Sequence, residues 1–261
     1  MKIERTRAPH IITIGVASLC AALAAASCAY NETIGRNQLI FVSSGEMASL
    51  ASSSWTELKQ QTPTTTDPKY TARVKRVAER VVAAAGENPA QWDIEIFKSD
   101  QVNAFALPGG KIGVYTGILD IIDNDDQLAT VLGHEVAHVE LHHSAERYSQ
   151  SALAQAGLTA AQALAGGSQY KNQIMGVLGV GVQGGYLLPF SRKHELEADR
   201  IGLGYMHKAG YNVDAALKFW EKMAAQSKGA PPEFLSTHPS DATRIAQIKE
   251  QIALIKAGKA G

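Results

Sequence analysis

Apolar residues along this 261-residue chain recur at two spacings, and the alternation between them sketches a fold. Leu128, Val131, Leu132, Val136 and Val139 fall three or four apart, the stripe of a helix that buries one face. Asn124-Asp125-Asp126-Gln127 ahead of it supplies a polar cap and an acidic first turn. Val74, Val77 and Val81 repeat the spacing after Asp67-Pro68, a cap followed by a first-position proline, until Gly86 stops the run. Ile245, Ile248, Ile252 and Ile255 make a third stripe from Asp241 onward. Further helices are predicted from Ser44 to Gln60, with Trp55 and Leu58 inward, from Ser149 to Ala165, and from Ser191 to Ala209 with Gly210 as the stop.

The second spacing is two. Trp92, Ile94 and Ile96 alternate with Asp93 and Glu95, the pattern of a half-buried strand. Val102 to Leu107 and Lys111 to Thr116 flank Pro108-Gly109-Gly110 and predict a hairpin. The predicted class is α+β, mostly helical with a small antiparallel sheet.

Composition adds a boundary and a compartment. The 25 basic and 25 acidic residues balance, and nothing in that balance points to nucleic acid. Lys2, Arg5 and Arg7 precede an apolar run from Ile11 to Ala26, the layout of an export signal. A membrane anchor is the competing view, but the run falls short of the roughly 20 apolar residues a span needs. Cys28 follows Ala25-Ala26-Ser27, the approach to a lipoprotein cleavage site, although ordinary cleavage after Ala29 stays open. Cys20 would be lost with the signal, so no disulfide framework is available. If Cys28 carries lipid, Ala29 is not the aspartate that holds lipoproteins at the inner membrane, which leaves the periplasmic face of the outer membrane. The expected organisation is a signal over 1–28 with cleavage before Cys28, an N-terminal helix and linker over 29–66, and a catalytic domain over 67–261. A glycine-spaced segment from Ile174 to Leu188 is too short and too interrupted to span a membrane, and is expected to form a packed helix or a flap near the cleft.

The chemistry sits on the first stripe. In His134-Glu135-Val136-Ala137-His138 the two histidines are four apart, so a helix presents both to one Zn²⁺ with Glu135 beside them. A charged surface helix is the plain alternative, but the flanking apolar stripe argues that this helix is buried. Leu141 and Ser144 stand where the metzincin pattern requires glycine and a third histidine. His142 and His143 are more simply explained as positive charge at a helix C-terminus.

A second constellation follows Ser191. Glu195 and Asp199 are four apart on one predicted helix face; Glu195 can complete a His₂Glu set with one position open, and Asp199 can accept the free ring N–H of a zinc histidine. Glu197 and His194 are expected at the surface or lining the cleft. His238, after a loop and before Pro239, is either a helix-entry residue or a cleft histidine that donates to an oxyanion or occupies the open zinc position. Arg244 is expected to anchor that loop by pairing with an acid. Asn103, Ala104 and Phe105 hold substrate if their strand is the sheet edge beside the metal, and are otherwise an ordinary core hairpin.

Taken together, Leu132 to His138, Asn103 to Gly110, Glu195 to Asp199 and Ser236-Thr237-His238-Pro239 resemble the zinc metallopeptidase family of HtpX and the Ste-type CAAX prenyl proteases, in particular its soluble periplasmic lipoprotein members of the LoiP and BepA kind. The resemblance covers roughly Thr33 to Ile252. It implies a zincin-type peptidase domain with one Zn²⁺ on His134, His138 and Glu195, Glu135 as the catalytic residue, and roles for the Asn103 strand in substrate binding and for His238 near the site. The implied activity is endoproteolysis of extended or misfolded envelope polypeptides; the alternative is an outer-membrane assembly or quality-control factor with a latent zinc site. Implied partners are a polypeptide substrate and outer-membrane assembly machinery, with membrane attachment by lipid alone. The chain lacks multiple predicted spans, which removes prenylated substrates from consideration.

Overall fold

The computed structural model describes residues 28–164, 191–226, 233–238 and 242–259. The predicted export signal and the segment from Ile174 to Leu188 lie outside the described residues. No helix among the described residues is long and apolar enough to cross a membrane.

The chain enters through an antiparallel hairpin, β1 (Cys28–Asn31) and β2 (Arg36–Leu39), turned at Gly35, whose φ of 64° suits a residue without a side chain. Period-two patterning is too short there to have flagged either strand. Helix α1 (Ser44–Gln61) follows, opened by a capping box between Ser43 and Glu46, and it buries Met47, Ala51 and Trp55. Helix α2 (Pro68–Ala84) starts on the Asp67 cap with Pro68 at the first position and buries Val74, Val77 and Val81.

The α+β reading holds, and the sheet is mixed. Strands β3 (Asp93–Phe97), β4 (Ala104–Leu107) and β5 (Lys111–Tyr115) lie in the order β3-β5-β4. β4 and β5 form the predicted antiparallel hairpin about Gly109 and Gly110, both at positive φ, whereas β3 runs parallel to β5. Alternation reveals that a segment is a strand but not the direction of its neighbour. Here the connection after β3 carries the chain past β5's place to the far edge, so the returning strand runs with β3. Among the described residues β4 is therefore an edge strand.

After a short helix, α3 (Thr116–Ile121), the histidine helix α4 (Asp125–Glu140) runs through the middle of the molecule. It is packed by α2, by β4 and by the later helices α6 (Arg192–Lys208) and α7 (Asp214–Gln226). Asn124 caps it by accepting from the Gln127 N–H, and every residue from Gln127 to His138 is buried. His142, at φ 54°, then breaks the chain into α5 (His143–Leu164), which begins six residues before the predicted start. A single turn, α8 (Glu233–Thr237), precedes His238, and α9 (Ala242–Lys256) closes the fold with Ile248, Ile252 and Ile255 inward.

Candidate metal centre

Two glycines set the spacing of the site. Gly133 on α4 and Gly202 on α6 meet backbone to backbone: a Cβ on Gly202 would lie 2.8 Å from the Gly133 carbonyl and from the His134 nitrogen. That contact lets two helices approach more closely than side chains allow. One turn along, it brings His134 and His138 to Glu195 and Asp199.

His134 Nε2 and His138 Nε2 are 3.1 Å apart, and the two Glu195 oxygens lie 3.4 Å from one and the other. Zn–N bonds of about 2.0–2.1 Å at tetrahedral angles separate two donors by about 3.3–3.4 Å, so the three side chains already describe a zinc-sized set. Their chemistry makes the same demand. Two buried imidazole nitrogens and a carboxylate oxygen turn lone pairs toward one point, which only a cation satisfies. When a proton serves, His134 is pushed up to about 9: burial pulls it down, but Asp199 and Glu195 outweigh that. His138 is instead driven well down by burial, and Glu195 is held low because His238, Arg244 and His134 outweigh its burial.

His238 joins this set. Its Nδ1 lies 3.2 Å from both His134 Nε2 and Glu195 Oε1, and the four residues together bring one ligand atom each within 4.8 Å of one another. Its Nε2 is 3.4 Å from Glu135 Oε1. Glu135 is pushed up by burial, against the opposing influence of His238 and His134 and, to a smaller extent, of the Ala106 N–H of β4. No more than 2% of the surface of His134, Glu135, His138, Glu195 or His238 is exposed.

Asp199 lies behind His134. His134 Nδ1 donates to Asp199 Oδ1 at 3.0 Å, and Arg244 grips the same carboxylate through Nε and Nη2, both at 2.8 Å. Arg244 also reaches Glu195 Oε2 at 2.7 Å and the His238 carbonyl at 3.3 Å, with its guanidinium 3.9 Å from the centre of the Trp220 ring. The predicted loop anchor is thus a buried brace joining the α6 carboxylates to the His238 turn.

The Asn103 strand lies beside the site, but its side chains divide. Ala104 and Ala106 face the main core with α4, and Asn103 is buried with its Oδ1 unpaired. Phe105 points to the other face, where it packs with Trp55, Phe97 and Tyr115. A cavity of about 370 Å³ opens against His138, lined among others by Met47, Trp92, Gly109 and Glu140. Burial, reinforced by Glu87, pushes Glu140 up to about 7.

A profile of Peptidase family M48 matches residues 68–252. The chain belongs to peptidase family M48. Among curated relatives, it is 40% identical to the mitochondrial metalloendopeptidase OMA1 of Schizosaccharomyces pombe over 189 residues, 70% of this chain and 54% of that one. It is 33% identical to OMA1 of Bos taurus over 84% of this chain and 45% of that protein. Identity to the Beta-barrel assembly-enhancing protease of Escherichia coli K12 is 29% over 75% of this chain and 41% of that protein. The chain thus spans about half the length of these relatives or less.

Around the M48 ligands the structure gathers residues that sequence reasoning set aside. His143 does not extend the histidine helix. The left-handed turn at His142 sends it back, so its Nδ1 meets His138 Nδ1 at 2.9 Å, and its Nε2 lies 3.1 Å from Glu197 Oε2. His194 is buried as well, stacked on His143 with ring centres 4.4 Å apart and 3.2 Å from Glu146. Glu197 is held down to about 2, burial being outweighed by Arg36 and His143. The available signal was the number of ionisable residues in two short stretches, 142–147 and 191–199, more than two solvated faces need.

Proposed function

We propose that this chain is a zinc-dependent endopeptidase of the bacterial cell envelope, cleaving extended or misfolded polypeptides by activated water. The observation that carries the reading is the convergence of His134, His138 and Glu195 at zinc-donor spacing, with the Glu135 carboxylate alongside. Zinc, when bound there, supplies a Lewis acid that polarises the scissile carbonyl and brings a water's pKa toward neutrality. Glu135 takes that water's proton and returns it to the leaving amine; its burial, which raises its affinity for a proton, suits both steps. The open edge of β4 supplies main-chain partners for an extended substrate at Ala104, while Asn103, whose carbonyl accepts from the Tyr115 N–H, and Phe105, paired with Gly113, hold that strand to β5.

The envelope location is supported by the signal layout of residues 1–28 and by the bacterial relative named for β-barrel assembly. In this reading lipid on Cys28 holds the chain at the outer membrane, near the assembly machinery. The test is casein cleavage by the zinc-loaded chain from Ala29 onward beside its Glu135→Gln form, with zinc content measured in both. Cleavage by the unsubstituted chain alone supports the proposal; equal cleavage by Glu135→Gln would sink it.

A second reading has its own observation. His238 Nδ1 occupies the neighbourhood of a fourth ligand, so a chain that binds clients with its zinc site latched fits the same geometry. It predicts zinc in both forms and cleavage by neither.

A further inference from the structure

We infer that the N-terminal hairpin is a working part of the metal centre, with Arg36 a positioning residue for the zinc ligand His138. The inference rests on the zinc assignment of the proposed function, and not on proteolysis.

The hairpin lies outside the span that matches family M48, 68–252. It nevertheless ends in the same buried network as the ligands. When His138 Nε2 faces the metal, its proton is on Nδ1, and that N–H donates to His143 Nδ1, 2.9 Å away. His143 must then carry its own proton on Nε2, which donates to Glu197 Oε2 at 3.1 Å. Glu197 in turn accepts from Arg36 Nε at 2.6 Å and Nη2 at 2.8 Å, a two-pronged pair that fixes the plane of the carboxylate. Each step leaves one tautomer, so the orientation of His138 is set from the hairpin.

The two zinc imidazoles are therefore held alike. His134 ends on Asp199, gripped by Arg244; His138 ends, one imidazole further out, on Glu197, gripped by Arg36. Carboxylates behind metal histidines fix the ring and strengthen it as a ligand. Arg36 also pairs with Glu146 on α5 through Nη1 and Nη2, and Gln38 of the same strand donates to Glu146 and to the Leu141 carbonyl. These bonds seat the hairpin against the turn that aims His143. Arg200 gives a control, because it holds the hairpin by donating to the Thr33 carbonyl without joining the relay.

The experiment is zinc affinity by chelator competition on the full chain, with the visible spectrum of the cobalt-substituted protein as second readout. Arg36→Ala and Glu197→Gln are each expected to weaken zinc about 10- to 100-fold, the double variant no further than the weaker single, and both to shift the cobalt bands. Arg200→Ala is expected to leave affinity and bands unchanged, and Arg36→Lys to recover part of the loss. Wild-type affinity in folded Arg36→Ala and Glu197→Gln overturns the inference, as does an equal loss in Arg200→Ala. Should Arg36→Ala not fold, Glu197→Gln, which keeps the side chain's size and an acceptor for His143, decides alone. An unsubstituted chain that binds no zinc overturns the metal assignment itself, whereas a zinc-binding chain that cleaves nothing leaves the relay standing.

Discussion

His238 sets its Nδ1 3.2 Å from Glu195 Oε1, inside the ring of zinc donors and not beside it. An oxyanion donor belongs on the substrate side of the metal; a nitrogen at this position fills the place that water or a carbonyl must take. In the latched reading the site is closed at rest, and His238→Ala is expected to speed cleavage of an unfolded substrate. A site latched nine-tenths of the time gains roughly tenfold when the latch is removed. Slower cleavage with zinc retained would instead assign His238 to the oxyanion.

Arg244 is the residue on which the buried charges most depend. It neutralises Asp199 and Glu195 together and ties both to the His238 carbonyl. Arg244→Ala leaves two buried carboxylates short of a cation, a loss worth about 3–5 kcal/mol where one partner of a buried pair is removed. Zinc offsets part of it by serving Glu195. The drop in melting temperature is therefore expected to be larger in chelated than in zinc-loaded protein, and equal drops would show that Arg244 does not share Glu195 with the metal.

The contact between Gly133 and Gly202 leads to a prediction about geometry. Gly202→Ala forces a methyl against the Gly133 carbonyl and the His134 nitrogen, atoms that cannot move without moving the helix. Overpacking of this kind costs about 1–3 kcal/mol, and here it also separates His134 from Glu195. Both stability and zinc affinity are expected to fall, with thermal melting and chelator competition as the measurements. Gly204, one turn face away, has nothing within 4 Å of an added Cβ. Gly204→Ala is expected to leave both intact.

These residues also show how far the chain could be read in advance. The histidine pair, Glu135, Glu195 and Asp199 were legible because helical periodicity places residues four apart on one face, and each pair is local. Arg244 was legible as an anchor, though not its partners. The relay through Glu197 was not, because Arg36 and Glu197 lie 161 positions apart, and no local pattern reports a partner at that distance. The His142 turn was hidden for a different reason. A non-glycine residue at positive φ carries no marker in the sequence, so His143 appeared to continue a helix that in fact ends at Glu140. The parallel pairing of β3 with β5 was likewise a tertiary choice, made once the hairpin strand took the edge.

Acid stability provides the last test, through Glu146, which touches no zinc ligand. Burial raises its proton affinity, but bonds from His194, Arg36 and Gln38 outweigh that and hold it well below the ordinary glutamate value of 4.5. The unfolded chain therefore takes up a proton at a pH where the folded one does not. The stability due to Glu146 is complete above 4.5 and is lost as pH falls below it. In metal-free protein, where zinc release does not complicate the curve, Glu146→Gln is expected to lower the melting temperature at pH 7. Below pH 4.5 the substituted chain should lose stability less steeply, by up to about 1.4 kcal/mol per pH unit for the one proton removed. Parallel acid limbs for the two proteins would mean that Glu146 takes up its proton at the same pH in the folded and unfolded chains, and that its bonds to His194, Arg36 and Gln38 do not favour the carboxylate.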